Sequence, residues 1–362
     1  MLTILLVFFS IIALVSLHEF GHFIIAKKFN VKVDEFGIGY PPRIIGKKIG
    51  ETLYSLNLLP FGAFVKILGE EGGAEGVEDN RNFSKKPVWQ RTLILLGGVA
   101  SFWLIATLLL SFVFGTGVSQ SVEDDAKGAL NPKIQVSGVS NDSPADLVGI
   151  KPGDIISGFY FSGVFYPVDK IKEFQEFIEE QKGKEITVLF NRGNEAMEFS
   201  LIPRISPPVG EGAMGVDLLR VAEVTYSWWQ APVMAVKATF NLTMAVISIW
   251  FSTSKSLLAG QGLPGEVQFL GPIGIGSVLN QAAQVGINYF LQLIALLAVY
   301  LAVLNLLPIP ALDGGRVVFL VIEKIKGSPI NKKIEQSINS AFFFLMIGLM
   351  VWVTVKDIAN LF

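Results

Sequence analysis

Leu17-His18-Glu19-Phe20-Gly21-His22 reads H-E-x-x-H and lies inside an apolar run, residues 2–26, in which Glu19 is the one acidic or basic side chain besides the histidines. Residues four apart on a helix share a face, so His18 and His22 can offer two imidazole nitrogens to one metal ion while Glu19 flanks it. This is the zinc-hydrolase signature, with Glu19 as candidate general base. The chain of 362 residues holds only two histidines, and both are here. Ionisable groups at hydrocarbon depth are expensive and functional by default. The run has no basic segment before it and no small-x-small cleavage pattern after it, so it reads as a membrane span rather than a cleaved signal peptide.

The composition suits that reading. The chain is 51% hydrophobic and 17% charged, with a mean hydropathy of +0.53, which places it among integral membrane proteins carrying some soluble mass. A formal charge of -2 supplies no basic field for nucleic acid. Cysteine is absent, which excludes disulfides, thiolate catalysis and Cys-type zinc sites together. Any metal must be held by His, Asp or Glu.

Four stretches, residues 2–26, 92–114, 287–307 and 338–355, are long and apolar enough to span a bilayer. A fifth, 232–252, carries Lys237 and Asn241 and follows Trp228-Trp229, which suits a helix lying at the interface. Eleven lysines and arginines from Lys27 to Arg91 separate the first two spans. The positive-inside rule makes that loop cytoplasmic and residues 115–286 extracytoplasmic. The fold class expected is therefore a polytopic α-helical membrane protein with four transmembrane helices, a membrane-associated β-hairpin and one extracytoplasmic α/β domain. The domain boundaries expected are 1–114, 115–205, 206–285 and 286–362.

The hairpin is read at residues 35–69, where alternation through Leu53-Tyr54-Ser55-Leu56-Asn57-Leu58 and Gly or Pro punctuation suit short strands joined by turns. So apolar a sheet can dip toward the membrane and receive an extended substrate on its edge, or it is an ordinary cytoplasmic hairpin. Residues 70–82, rich in Gly, Glu and Asp, read as a mobile linker. Gly97-Gly98 and Ser101 in the second span permit close helix approach. Residues 131–203 read as strand, short helix, turn, strand, helix and a strand pair around Asn191-Arg192-Gly193-Asn194. Within them S-P-A-x-x-x-G-I-x-P-G-D-x-I resembles a PDZ domain, which either binds an extended terminus or acts sterically.

The third span ends in Asn305-Leu306-Leu307-Pro308-Ile309-Pro310-Ala311-Leu312-Asp313-Gly314-Gly315-Arg316. Catalytic zinc takes three protein ligands and keeps one position open. His18 and His22 give two, and Asp313 is the best third, since both span ends fall on the cytoplasmic side. Asp313 also reads as a turn or helix-capping residue. Asn305 suits either a group that orients substrate or a helix-packing amide. Asn305, Pro308, Pro310 and Gly62 are the candidate substrate-binding residues.

Taken together, HEFGH at His18–His22, GIGYPPR, LPFGAFVKILGE, FSKKPVWQR, GPIGI at Gly271–Ile275 and NLLPIPALDGGR at Asn305–Arg316 resemble the site-2 protease family of intramembrane zinc metalloproteases, in its bacterial regulator-of-sigma-E branch. The likeness covers nearly the whole chain. It implies one Zn2+ per chain on His18, His22 and Asp313, Glu19 as catalytic base, a membrane-reentrant hairpin and an amphipathic helix after the PDZ domain. It further implies a multi-pass protein of the bacterial inner membrane with its active site toward the cytoplasm. Its partners would be the lipid bilayer and single-span membrane substrates, such as anti-sigma factors already trimmed by another protease or remnant signal peptides. Two departures stand out: Gly97-Gly98-Val99-Ala100-Ser101 occupies the place of a G-P-x-x-N pattern, and there is room for one PDZ domain where some members have two. The rival readings are a non-proteolytic PDZ membrane scaffold and a metal-ion transporter.

Overall fold

The computed structural model describes residues 2–70, 80–124, 130–161, 163–193, 195–208, 210–260, 270–328 and 330–359. Two compact units emerge: residues 1–111, 232–281 and 291–362 form the first, and residues 112–231 and 282–290 the second.

The first unit is built on helix α1 (Leu2–Lys28), 27 residues of almost unbroken apolar sequence closed by Lys27 and Lys28. Asn30, at φ 53, takes the left-handed conformation that ends it. Strands β1 (Val33–Ile49) and β2 (Thr52–Ile67) follow, joined through Gly50 and Glu51. Their register bends both strands back on themselves. Residues 33–38 pair with 63–67 on one side and run in step with 53–56 on the other, while 43–49 pair with 52–57. Pro41, Pro42 and Pro60 cannot donate to a ladder, and the bends fall beside them. Segment 63–67 is left with its outer edge toward α1. Phe20 and Phe23 of α1 meet Phe36, and Phe23 also meets Tyr54, with centroids 5.7–6.0 Å apart, which seats the sheet on the helix.

The loop after β2 is described only at its ends. Residues 71–79 of the expected mobile linker lie outside the described residues, but its ends are fixed. Lys32 N–H donates to Arg81 O and Phe83 N–H to Leu68 O, and the buried Asn82 caps a short 3-10 turn at Phe83–Lys85.

Helix α2 (Val88–Thr116) packs on α1 where Gly21 and Gly97 meet: a methyl on Gly97 would stand 2.9 Å from Gly21 O and 2.8 Å from Ile25 Cγ1. Further along the chain come α5 (Ala231–Leu258), α6 (Pro272–Val285), α7 (Ile287–Leu306), α8 (Asp313–Lys326) and α9 (Lys332–Ala359). Among the described residues five helices are long and apolar enough to cross a membrane: α1, α2, α5, α7 and α9. Four coincide with the expected spans. The fifth, α5, runs past the expected 232–252 to Leu258, and two of its threonines are satisfied within the helix and by α2. Thr243 donates to Thr239 O at 2.7 Å, and the Thr239 and Thr107 hydroxyls lie 3.2 Å apart.

The second unit is a seven-stranded antiparallel sheet. It comprises β3 (Val118–Ser121), β4 (Leu130–Val139), β5 (Ile155–Phe161), β6 (Val164–Pro167), β7 (Ile186–Arg192), β8 (Glu195–Leu201) and β9 (Val216–Val224), ordered β3-β9-β4-β5-β7-β8 with β6 on β5. Helices α3 (Pro144–Leu147) and α4 (Ile171–Glu180) pack on it. Phe174, Phe177 and Ile178 of α4 enter a core with Ile134, Ile156, Val188 and Phe190, as their helical spacing predicts. The buried Asp154 carboxylate receives Arg192 Nε and Nη2, each at 2.7 Å, and the ion pair fixes the turn before β5 to the end of β7.

Candidate metal centre

Three ligand-bearing residues converge in the first unit. His18 and His22, one turn apart on α1, aim their Nε2 atoms at a common point and stand 3.3 Å apart. Asp313 Oδ2 lies 3.5 Å from His18 Nε2 and 3.4 Å from His22 Nε2. Ligand atoms about 2.0–2.1 Å from a shared zinc ion at tetrahedral angles lie about 3.3–3.4 Å from one another. The triangle therefore has the dimensions of a closed set of three with a fourth corner left over. Asp313 Oδ2 is buried without a hydrogen bond of its own, as an oxygen reserved for a cation would be.

Each side chain is held from behind. His22 Nδ1 donates to Ile94 O of α2 at 2.9 Å, which fixes the tautomer and leaves Nε2 with its lone pair toward the site. His18 stacks on Phe102 of α2, with centroids 4.5 Å apart and planes at 13°. Both rings lie against the backbone of Gly98. A methyl there would overlap His22 Nε2 and stand 2.6 Å from His18 Cε1. The sequence shows the Gly97-Gly98 pair as a helix contact, but that the second glycine makes room for the imidazoles is visible only in three dimensions.

Asp313 opens α8. The turn before it is compact because Gly314 and Gly315 lie on the carbonyls of Leu306, Leu307 and Ile309, where a Cβ would clash. Glu19 stands beside the triangle, and its Oε2 accepts the Val65 N–H of β2 at 3.2 Å. That N–H belongs to the outer edge of segment 63–67, so the carboxylate and the strand edge face each other directly.

A cavity of ≈ 560 Å³ is lined by His18, Glu19, His22 and Asp313 together with Tyr40, Ala63, Val65, Glu70, Asn305, Arg316 and Asn339, among others. Of the four candidate substrate residues, only Asn305 reaches it, and its Nδ2 donates to Leu301 O of its own helix at 2.9 Å. Pro308 and Pro310 shape the turn outside the lining. Gly62, at φ +102, faces Tyr40 and Val15. Sequence reasoning missed Glu70 and Arg316, whose 2.6 Å ion pair ties the end of β2 to the first turn of α8. Position three after Asp313 on a helix was the available signal for Arg316. Glu70 had none, being one acid in a run of them.

Apolar helices of spanning length, with two histidines, an aspartate and a glutamate gathered on one cavity, define a membrane-embedded metalloprotease as the class. The comparisons with known proteins agree. The family description "Peptidase family M50" matches residues 6–349, and the chain belongs to that family. It is 34% identical over 96% of its length to "Putative zinc metalloprotease CPE1693" of Clostridium perfringens, covering 95% of that relative. It is 27% identical to "Zinc metalloprotease RasP" of Shouchella clausii over 99% of both chains, and 30% identical to a similarly named protein of Fusobacterium nucleatum over 96% of both.

Proposed function

We propose that this chain is an intramembrane zinc endopeptidase that cuts single-span membrane proteins within or beside their transmembrane segment. The observation that carries the reading is the triangle of His18 Nε2, His22 Nε2 and Asp313 Oδ2, with sides of 3.3, 3.5 and 3.4 Å, set beside Glu19. These three residues would hold the ion, which when bound supplies Lewis acidity to the scissile carbonyl. Glu19 takes the proton of the attacking water and returns it to the leaving amine. A transmembrane helix hides its carbonyls in its own hydrogen bonds, so the substrate must unwind before it reacts. The outer edge of segment 63–67 then offers the extended piece backbone partners next to the base, with Val65 N–H exchanging Glu19 for the substrate. A scaffold would have no use for such a set of converging ligand atoms.

The topology we favour has four spans, with the N-terminus and the second unit outside and the metal centre toward the cytoplasm of a bacterial inner membrane. Its support is at the start of α7. Asn288 Nδ2 donates to Gly117 O at 2.7 Å, and Thr116 donates to Asn288 Oδ1 at 3.2 Å, so α7 begins on the side where α2 ends. The chain between them must cross an even number of times. α6 has 14 residues, about 21 Å of helix against about 30 Å of hydrocarbon, so it cannot return a crossing made by α5. We therefore place α5 in the surface of the bilayer.

In the second unit, Ser143 caps α3 by accepting from Asp146 N at 3.1 Å, and the turn after α3 leads into β5, the arrangement expected of the PDZ-like pattern. A PDZ domain there would exclude substrates that keep bulky outer domains and admit anti-sigma factors or signal-peptide remnants after a first cut, and the interfacial helix α5 would contribute to the same selection. The test is metal content of the purified full-length protein beside Asp313→Ala. One zinc per chain in the wild type and its loss in the variant, together with loss of cleavage of a model single-span substrate, are expected. Full zinc in Asp313→Ala would end the proposal.

A further inference from the structure

Every backbone donor in the turn that delivers Asp313 can be followed to its acceptor. Pro308 and Pro310 have no N–H. Ile309 donates to Leu307 O at 2.7 Å and Leu312 to Ile309 O at 3.1 Å, both inside the turn. Ala311 is the remaining donor, and its N–H leaves the turn altogether: the acceptor is Asn339 Oδ1, 3.2 Å away on α9. Ala311 also has φ +78, a left-handed conformation that its Cβ disfavours and that surroundings must impose.

The origin of this acceptor matters. The apolar stretch of α9 is 6% buried, against 39% for those of α2 and α7, so its polar side chains at either end matter to how it is held. At its far end Asp357 Oδ2 accepts Gly274 N–H at 2.7 Å. At the near end the side chain of Asn339 meets the turn at the edge of the cavity it helps to line.

We propose that Asn339 is a positioning residue for Asp313: its side-chain oxygen pins the strained residue two places before the carboxylate and so sets where Oδ2 stands relative to the two imidazoles. α9 thereby belongs to the metal centre without contributing a ligand. The proposal rests on the reading of Asp313 as the third ligand. Groups that orient metal ligands from behind change metal affinity by about 10–100-fold when removed.

The experiment is a zinc competition titration against a chelator of known affinity, run on the full-length protein in nanodiscs. Asn339→Leu, of similar size but without an acceptor, should raise the zinc Kd by about tenfold or more, while Asn339→Asp, which keeps an oxygen at the same reach, should stay within about threefold of wild type. If Asn339→Leu does not accumulate, Asn339→Ser, too short to reach Ala311, takes its place with the same expectation. A folded Leu or Ser variant with wild-type zinc affinity overturns the proposal, even if its proteolysis falls. So does an Asp variant as weak as the Leu one, because the oxygen would then be irrelevant. Asp313→Ala is measured alongside. Should it bind zinc as wild type does, the ligand assignment itself is at fault, whereas loss in Asp313→Ala with retention in Asn339→Leu removes only the role of Asn339.

Discussion

Replacing Gly98 by alanine would drive one methyl group into the space held by both imidazoles. The new Cβ would overlap His22 Nε2 and sit 2.6 Å from His18 Cε1, whereas ordinary contact begins at 3.4 Å. The His18 ring must therefore move by about 0.8 Å, and that of His22 by more, against a tolerance of about 0.2 Å in metal–ligand distance. The rings have little freedom to yield. His22 is tied to Ile94 O and His18 is stacked on Phe102, so relief requires α1 and α2 to separate and lose their packing. Overpacking of this kind costs about 1–3 kcal/mol of stability. Metal binding should suffer at least as much as from loss of an orienting group, about 10–100-fold, or roughly 1.4–2.7 kcal/mol. Zinc per chain by elemental analysis, zinc Kd by chelator competition and cleavage of a single-span substrate would be read on Gly98→Ala beside Gly97→Ala. The Gly97 methyl meets Gly21 O and Ile25 rather than the ligands, so that variant should lose thermal stability while keeping its zinc affinity when folded. A Gly98→Ala protein with full zinc and wild-type proteolysis would refute the placement of the imidazoles on this glycine.

Glu19→Gln should bind zinc stoichiometrically and leave a model substrate uncut over hours; cleavage at a rate comparable to wild type would remove Glu19 as the base. Arg192→Leu should destabilise the second unit by about 1–3 kcal/mol in thermal unfolding, because it leaves the buried Asp154 carboxylate with only the Lys151 N–H, and Asp154→Asn with Arg192→Leu should recover part of that loss. Glu51 accepts from Lys27 and Arg81, each at 2.5 Å, and the Lys27 hydrogen bond above all holds its carboxyl below the usual carboxylate range. A depressed folded-state value contributes stability above the ordinary glutamate pKa and loses it as pH falls through the lower one. The protection of the amides around residues 49–52, measured against their intrinsic exchange rate at each pH, should accordingly fall as pH drops below the ordinary glutamate range in the wild type and show no such step in Glu51→Gln. Excising residues 131–203 leaves β3 free to pair with β9, as it already does, and should widen the range of substrates accepted without abolishing the cut. A folded but wholly inactive deletion would rule out a filter.

What could be seen in the sequence follows from how local each feature is. His18, Glu19 and His22 are fixed by one helical repeat, and Asp313 by the need for a third non-cysteine ligand. The strands around Asn191–Asn194 follow from alternation and a turn. Other features depend on contacts that sequence spacing does not encode. The run 35–69 shows strand-forming residues, but its register, with 33–38 flanked by two parts of β2, is a tertiary outcome. Lys237, Asn241 and Trp228-Trp229 make 232–252 read as an interfacial helix, and that Thr239 and Thr243 are met by their own helix and by Thr107 is a tertiary outcome. Asn339 sits in a stretch of ordinary polar residues, and nothing nearby in the chain indicates that it reaches Ala311.

The two histidines and the aspartate lie nearly three hundred residues apart in the chain. A ribosome adding about 5–20 residues per second needs roughly 15–60 s between the first pair and the last member. If His18, His22 and Asp313 hold the metal as proposed, a chain translated only as far as the histidines lacks the carboxylate, and the centre cannot be assembled until the turn before α8 has been made.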